Sequence, residues 1–217
     1  MADKKPHLVL LKNGADSPKK IPIVIVPGMA IFYGGNNWKR ILERNGYPSE
    51  IANFYIILAT KTIDEQARIL FREIEKILAL HRAEKCHLLA FSMGGIVALH
   101  FLQRYDARKR VEKCICVSAP FYGIRRYLSA LIPFKILVRG LPEIIKGNGL
   151  LKSIVKGAAT VAVKVYTIRG NADWLCGESP CRLPFAENLP PIDGGHLSIC
   201  SGLNEHSVNQ ALRILAG

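Results

Sequence analysis

The sequence predicts an α/β fold in which a mostly parallel sheet of about six strands is flanked by helices. Short apolar runs rich in Ile, Val and Leu recur along the chain, as is typical of buried strands. Longer segments lie between them, in which apolar residues recur every three or four positions, as on one face of a helix. Strands that alternate with helices form parallel βαβ units, so an open sheet with helices on both faces is expected.

The strands are predicted from apolar runs that end at turn residues. The first run, IPIVIVPG, ends at a Pro-Gly pair that would break it. A short sixth strand is expected before Gly194. The five longer strands are predicted at residues 21–28, 53–58, 86–92, 113–120 and 164–170.

Four helices are predicted from helical periodicity, at residues 38–45, 63–81, 94–105 and 204–215. Gly46 is the expected C-terminal stop of the first helix. The second begins at a capping box formed by Thr62 and Glu65, and the third is apolar nearly all round, so it should pack against the sheet. The buried stripe of the second helix comprises Ile63, Ala67, Leu70, Ile74, Ile77 and Leu78.

Length and composition limit the classes of protein to be considered. The chain has 217 residues, of which 49% are hydrophobic and 22% charged, so one globular domain spanning 1–217 is expected. No apolar run reaches the roughly 18 residues that predict a membrane-spanning helix. The first 20 residues contain lysines but no sustained apolar stretch, so the sequence predicts no signal peptide and a cytoplasmic location.

The six cysteines do not indicate a metal site, because none forms a C-x-x-C pair. Reduced, mostly buried thiols are therefore expected. Cys176 and Cys181, in CGESPC, are close enough in sequence to form a disulfide in an oxidising compartment. Two free thiols are the preferred interpretation.

The chain is strongly basic, with a formal net charge of +13. Over half of this excess lies between residues 121 and 164, where eight basic residues accompany a single acidic one, Glu143, and many Leu, Ile and Val. Such a segment can contact an anionic membrane, or it can form ordinary helices with a core-facing stripe and a solvated basic face. Nucleic acid is a third option that the charge allows, but it is not favoured because no DNA- or RNA-binding motif is present.

The segment AFSMGG, between the third predicted strand and the next helix, carries the main functional signal. Ser92 stands where the chain must turn sharply from strand to helix, which is the geometry of a nucleophile elbow. Ala90 and Gly94, two residues before and after it, are small enough for neighbouring backbones to approach. The helix N-terminus would direct N–H groups toward developing negative charge. The alternative is a serine that only caps the helix.

From Ile21 onward the sequence resembles the α/β-hydrolase superfamily, in particular its compact bacterial lipases and esterases. The family motif G-x-S-x-G is matched by AFSMG, with Ala90 at the first glycine position and Phe91 where histidine is common. The resemblance implies an α/β-hydrolase fold, a Ser-His-Asp triad with Ser92 as nucleophile, and a cap or lid formed by the insert at 121–163. It implies no metal and no organic cofactor.

By the same resemblance, the segment VPGMA after the first strand would supply part of an oxyanion hole. Family members use the N–H of the residue after the glycine, which here is Met29, and Met93 would donate the second N–H. Gly28 would allow the backbone to bend inward. Without the elbow downstream, this segment would be interpreted as a plain Pro-Gly turn.

The family order of Ser, then Asp or Glu, then His leaves two candidates for the general base. His196 lies in the Gly-rich segment DGGHLS, where the family places its base, and it is preferred. His206 lies at the start of the terminal helix and is expected to pack or face solvent. The remaining histidines precede or surround the elbow: His7, His81, His87 and His100.

The orienting acid is expected after the fifth strand. Asp173, in GNAD, stands at the family's acid position and would hold the imidazole of His196 in one tautomer. Asp193 is a rival, but it is only three residues from His196, which is too local for the usual partner. Glu178 is a weaker rival, and NAD could also form an ordinary Asx turn.

The predicted function is hydrolysis of carboxylic esters, in particular acyl lipids or other apolar esters, through an acyl-enzyme on Ser92. An acyltransferase that uses the same triad is the enzymatic alternative. A catalytically weak hydrolase-like protein that binds a membrane surface is the alternative from another class.

Overall fold

A computed structural model describes residues 20–28, 32–53, 61–124, 142–175 and 180–217. Within them six strands form one sheet: β1 (Ile23–Val26), β2 (Ser49–Ile51), β3 (Cys86–Phe91), β4 (Val111–Val117), β5 (Lys164–Ile168) and β6 (Glu187–Asn188). All neighbouring strands run parallel, in the order β2-β1-β3-β4-β5-β6. The predicted fold class is confirmed.

Helices cover both faces of this sheet. Alternate residues of β1 point to opposite faces, so Val24 and Val26 join one apolar core while Ile23 and Ile25 join the other. The helices are α1 (Phe32–Arg44), α2 (Ile63–His81), α3 (Met93–Arg104), α4 (Gly149–Ala158), α5 (His196–Cys200) and α6 (Glu205–Ala216). Helices α2, α3 and α4 pack on the first core, and α1, α5 and α6 pack on the second.

Helix α2 has the predicted bounds and the predicted capping box. The Thr62 hydroxyl accepts the N–H of Glu65 at 3.2 Å, and the Glu65 carboxylate accepts the N–H of Thr62 at 2.8 Å. The carboxylate of Glu143 accepts the N–H of Ile63 at 2.7 Å, so a residue 80 positions away also caps this helix. A cap of this kind contributes about 1 kcal/mol.

Helices α3 and α4 illustrate two kinds of burial. As predicted, α3 is buried nearly all round, from Met93 through Leu102. Helix α4 packs its apolar stripe on the α3 side of the sheet and exposes Lys152 and Lys156 to solvent. This part of the basic insert is therefore an ordinary amphipathic helix, while residues 125–141 lie outside the described residues.

The first helix begins earlier than predicted. Helix α1 starts at Phe32 rather than Trp38 and includes Gly34 and Gly35, which are poor helix formers. Both glycines are buried, so tertiary packing outweighs their low helix propensity. The expected stop is confirmed, since Gly46 adopts φ 78° just after the helix.

The second strand also differs from its prediction. Strand β2 covers Ser49–Ile51, whereas the predicted span of 53–58 begins at a bend and otherwise lies outside the described residues. The Gly46 turn returns the chain directly to β1, and the N–H of Ile23 donates to Pro48 O at 2.8 Å. Pairing with β1 therefore starts before the apolar run from which the strand was predicted.

No helix in the described part of the chain is long and apolar enough to cross a bilayer.

His87 is a buried histidine in β3, and its side chain is only 4% exposed. It pairs in register with Lys113 of β4, whose ammonium donates to Ile214 O of α6 at 2.8 Å. Burial, assisted by the positive charge of Lys113, lowers the pKa of His87 to about 4. The folded protein therefore holds this imidazole neutral.

This shift predicts that the protein loses stability in mild acid. Unfolded histidine takes up a proton near pH 6.5, whereas folded His87 does so only near pH 4, so the unfolding free energy should fall as pH decreases across that interval. We expect a loss on the order of 2 kcal/mol. Denaturant unfolding from pH 7 to 4.5 should show a shallower pH slope in His87→Leu than in the parent, and an unchanged slope in His206→Ala, an exposed control. Equal slopes in all three proteins would contradict the prediction.

Candidate active site

Ser92 occupies a strained turn between β3 and α3. Its backbone has φ 50° and ψ −126°, a conformation that costs a non-glycine residue about 1–3 kcal/mol. The sheet helps to hold this conformation, because the N–H of Ser92 donates to Val117 O of β4 at 2.9 Å. The sharp strand-to-helix turn predicted from the sequence is therefore present, with the serine at the carboxyl edge of the sheet.

Small residues around the serine allow the elbow to pack closely. A Cβ added to Gly94 would lie 2.5 Å from Pro27 O and 2.6 Å from Val26 O, so the start of α3 touches the end of β1. Ala90 is fully buried between its register partners Val26 and Cys116. The elbow thus tolerates alanine at the first small position but requires glycine at the second.

His196 is in contact with the serine. Its Nε2 lies 3.0 Å from Ser92 Oγ, although 104 positions separate the two residues. It is buried at the first position of α5, whereas His206 lies exposed in α6. Of the two histidines considered from the sequence, the structure brings His196 to Ser92.

Asp173 completes the arrangement on the other side of the imidazole. Its buried carboxylate oxygen Oδ2 lies 2.9 Å from His196 Nδ1, and Oδ1 accepts the N–H of Leu175 at 3.1 Å. A carboxylate only accepts hydrogen bonds, so Nδ1 carries the proton that points at Asp173, and Nε2 accepts from the serine hydroxyl. The rival Asp193 is exposed and accepts instead from Asn171 Nδ2 at 2.6 Å, and Glu178 lies outside the described residues.

The turn that carries Asp173 and the loop that carries His196 are joined through their backbones. The N–H of Ala172 donates to Gly194 O at 3.3 Å, and the N–H of Asn171 donates to Ile192 O at 2.9 Å. Gly170 lies directly against Gly194 O, so no side chain could be accommodated there. The segments that carry Asp173 and His196 are therefore positioned as one unit after β5.

Helix α5 was not predicted from the sequence, which placed His196 in a loop. The helix has only five residues, too few for a periodic apolar pattern to be recognised. The Asn204 side chain, which donates to Asp193 O at 2.7 Å and accepts the N–H of Ser207 at 3.0 Å, joins this region to α6. The terminal helix was predicted to begin at Asn204, and asparagine is a residue type that is preferred at the N-cap, the position that Asn204 occupies.

The two residues predicted to form an oxyanion hole have different outcomes. Met93 is the first residue of α3, and N–H groups in the first turn of a helix have no acceptor inside it. Met29 lies outside the described residues.

Cys181 is buried and has a free thiol, and Cys176, with which a disulfide was considered, lies outside the described residues.

Two large apolar residues that are neighbours in sequence of Asp173 and His196 are exposed. Trp174 follows Asp173 and is 65% exposed, and Leu197 follows His196 and is 62% exposed. Single exposed apolar residues are ordinary, but each of these two directly follows a member of the hydrogen-bonded group. Among the described residues, no cluster of three or more His, Cys, Asp or Glu side chains is arranged to hold a metal ion.

Comparison with known proteins agrees with the fold. A family model described as the alpha/beta hydrolase fold matches residues 60–133. The mature lipase BlEst2 of Bacillus licheniformis superposes with a TM-score of 0.73 at 21% identity, covering 90% of this chain and 93% of that one. The chain has the α/β-hydrolase fold. This is the fold that the resemblance in sequence implied.

Two further relatives extend the comparison. Carboxylesterase CesB of Bacillus subtilis superposes with a TM-score of 0.60 at 16% identity, covering 92% of this chain and 85% of that one. A probable lysophospholipase L2 of Haemophilus influenzae is 37% identical over 86 residues. That match covers 40% of this chain but only 23% of the relative's length.

The close contact at Gly94 predicts a specific sensitivity of the elbow. Gly94→Ala should lower the unfolding free energy by about 2 kcal/mol or more, because the new methyl group would meet two carbonyl oxygens of the backbone. Gly149→Ala is the matched control, since a Cβ there meets nothing within 4 Å. Chemical denaturation of both variants tests this, and a Gly94→Ala protein as stable as the control would show that the elbow is loosely packed.

Proposed function

We propose that this protein is a serine hydrolase that cleaves carboxylic esters. The observation that carries the proposal is the hydrogen-bonded series from Ser92 Oγ through His196 to Asp173, with separations of 3.0 and 2.9 Å. A hydroxyl is a weak nucleophile, and an adjacent base held by a carboxylate is what activates it. The strained turn at Ser92 adds support, because such strain is concentrated at functional sites.

In the proposed reaction Ser92 Oγ bonds to the ester carbonyl carbon while its proton passes to His196 Nε2. The carbonyl becomes an oxyanion, then reforms as the ester C–O bond breaks and His196 delivers the proton to the departing alkoxide oxygen. Water next attacks the acyl-enzyme and gives its proton to His196. Collapse releases the carboxylic acid and returns the proton to Ser92. The cycle requires no metal or organic cofactor.

The oxyanion would be stabilised by backbone N–H groups and by the positive end of α3. We assign one donor to Met93, because it follows the nucleophile at the helix N-terminus, and the second to Met29 by its place in the sequence. Removal of a single such donor costs about 10²–10³-fold in turnover in enzymes of this kind. The fully buried packing of α3 would keep its N-terminus rigid.

Acyl lipids or other apolar esters are the substrates we favour. Trp174 and Leu197 directly follow Asp173 and His196 in the sequence and expose apolar side chains, which we assign to contact with an acyl chain. The relatives are described as a lipase, a carboxylesterase and a probable lysophospholipase, which agrees with ester substrates. An acyltransferase would use the same groups, so partition of the acyl-enzyme between water and an added alcohol separates the two activities.

Substitutions in the triad test the proposed function. Ser92→Ala and His196→Ala should each lower turnover by on the order of 10⁴-fold, because the members act as a unit, and Asp173→Asn should be severe but somewhat less so. The substrates are p-nitrophenyl esters of increasing acyl-chain length. Covalent labelling by a fluorophosphonate probe should be lost in Ser92→Ala.

His206→Ala is the matched control for the histidine substitution. His206 is exposed on α6, so its removal should leave turnover essentially unchanged. Parent-like hydrolysis by a folded Ser92→Ala protein would refute the assignment of the nucleophile. A parent that neither hydrolyses any of these esters nor reacts with the probe would refute the proposed function.

We also propose that the basic insert lets the protein contact anionic membranes. Lys146, Lys152, Lys156 and Lys164 are exposed, and the acidic residue of this region, Glu143, is engaged at the start of α2. Each cation close to an anionic lipid surface contributes about 1 kcal/mol, and the attraction decays within a Debye length. Nucleic acid remains the less favoured partner.

Vesicle co-sedimentation across a salt series tests this contact. The parent should bind vesicles containing anionic lipid and bind less as salt rises, and the triple variant Lys146→Gln, Lys152→Gln, Lys156→Gln should bind several-fold less. The control removes three exposed cations from the opposite face of the sheet: Arg40→Gln, Arg44→Gln and Arg213→Gln. Equal losses in both variants would indicate net charge alone, and no binding by the parent at low salt would eliminate the membrane role.

A further inference from the structure

Helix α5 depends on side chains from other elements. A helix of five residues has no stability of its own, and its last carbonyls lack partners inside the helix. Here the Ser207 hydroxyl donates to Ile199 O at 3.2 Å, and Ser201 Oγ donates to Ser198 O at 2.9 Å. Because His196 is the first residue of this helix, whatever fixes its C-terminal end also fixes the imidazole.

Two donors to this end of α5 come from α1. The indole N–H of Trp38 donates to Cys200 O at 3.0 Å, and Asn37 Nδ2 donates to Ser201 O at 3.2 Å. Trp38 is fully buried, so Cys200 O would lose a partner in the core if the indole N–H were removed. An unsatisfied buried carbonyl is costly, and the short helix could relieve that cost by moving.

Gly202 lies against the same indole. A Cβ at this position would be 3.2 Å from Trp38 Cδ1 and 3.3 Å from its Nε1, and the residue adopts φ 75°. The chain that leaves α5 therefore bends around the edge of the tryptophan. This contact limits the directions in which α5 could shift.

The indole also contacts the strand that leads to Ser92. The rings of Trp38 and Phe91 have centroids 5.3 Å apart at an angle of 38°, and Phe91 directly precedes Ser92. Both aromatic side chains are fully buried. One side chain of α1 thus touches the nucleophile's strand and hydrogen-bonds the helix of the proposed base.

We infer that Trp38 is a positioning residue that holds His196 in hydrogen-bonding register with Ser92. The inference rests on the proposed function for its kinetic consequence, but not for its geometry. Trp38 lies outside the triad and acts through α5 and through Phe91. A displacement of about 1 Å between reacting groups can cost on the order of 10²-fold in rate, so the indole N–H should affect turnover although it is remote from the substrate.

The test is Trp38→Phe. This substitution keeps an aromatic ring packed against Phe91 but removes the N–H group that donates to Cys200 O. We expect kcat for a short p-nitrophenyl ester to fall about 10- to 100-fold with KM nearly unchanged, because binding of a small ester does not involve α5's C-terminal end. We also expect the low-field NMR signal of the His196 Nδ1 proton to shift or broaden. This spectroscopic readout does not depend on hydrolysis.

Lys113→Met is the matched control. It removes another buried side-chain donor to a helix carbonyl, Ile214 O, which lies near the C-terminal end of α6 and away from Ser207, the residue of α6 that contacts α5. It should lower the melting temperature by a similar amount but leave kcat and the His196 signal as in the parent. Both variants are compared below their melting temperatures, so loss of folded protein does not enter the comparison.

The outcomes separate this inference from the proposed function. Parent-like kcat and an unchanged His196 signal in Trp38→Phe would overturn the positioning role while leaving the hydrolase assignment intact. Equal kinetic and spectral changes in Lys113→Met would also overturn it, because they would reflect general loosening. If the parent has no esterase activity, the proposed function fails, and the NMR comparison alone decides whether Trp38 positions His196.

Discussion

The strained backbone at Ser92 is the constraint on which the site depends. A non-glycine residue at φ 50° persists only when its surroundings hold it there. Three features do so: the hydrogen bond from Ser92 N to Val117 O, the contact of Gly94 with the end of β1, and the burial of α3. Because these features all involve the central strands, the serine is held by the most deeply buried part of the sheet.

The proposed acid and base come from the second half of the chain and reach the serine differently. Asp173 and His196 lie on short connections after β5, joined by the backbone hydrogen bond between Ala172 and Gly194. Helix α5 is too short to order itself, so side chains of α1 and α6 satisfy its carbonyl groups. Ser92, held by the sheet, therefore faces His196, whose position is set by tertiary contacts. This asymmetry explains why a residue as distant from the substrate as Trp38 should affect turnover.

The elements predicted correctly from the sequence are those whose signals are local. Helix α2 has its capping box and stripe within 20 residues, and the strand–serine–helix pattern at Ser92 is contiguous. The errors occur where distant contacts outweigh local propensity. Helix α1 begins at Phe32 rather than Trp38 and contains the buried Gly34 and Gly35, and β2 forms directly after the Gly46 turn rather than in the apolar run beyond it. The choice of His196 and Asp173 came from the family order, and their contacts with Ser92 and with each other could be established only in three dimensions.

The distribution of charge around the insert follows from the same packing. Glu143, the acidic residue of this basic region, is used to cap α2, where a carboxylate interacts favourably with the helix N-terminus. Helix α4 buries its apolar stripe on the α3 side, so its lysines must face outward. Among the described residues 142–158, packing onto the core therefore engages Glu143 and the apolar stripe of α4 and leaves Lys146, Lys152 and Lys156 exposed. A positively charged surface therefore results from the packing of this segment onto the core. The proposed membrane contact would use that surface.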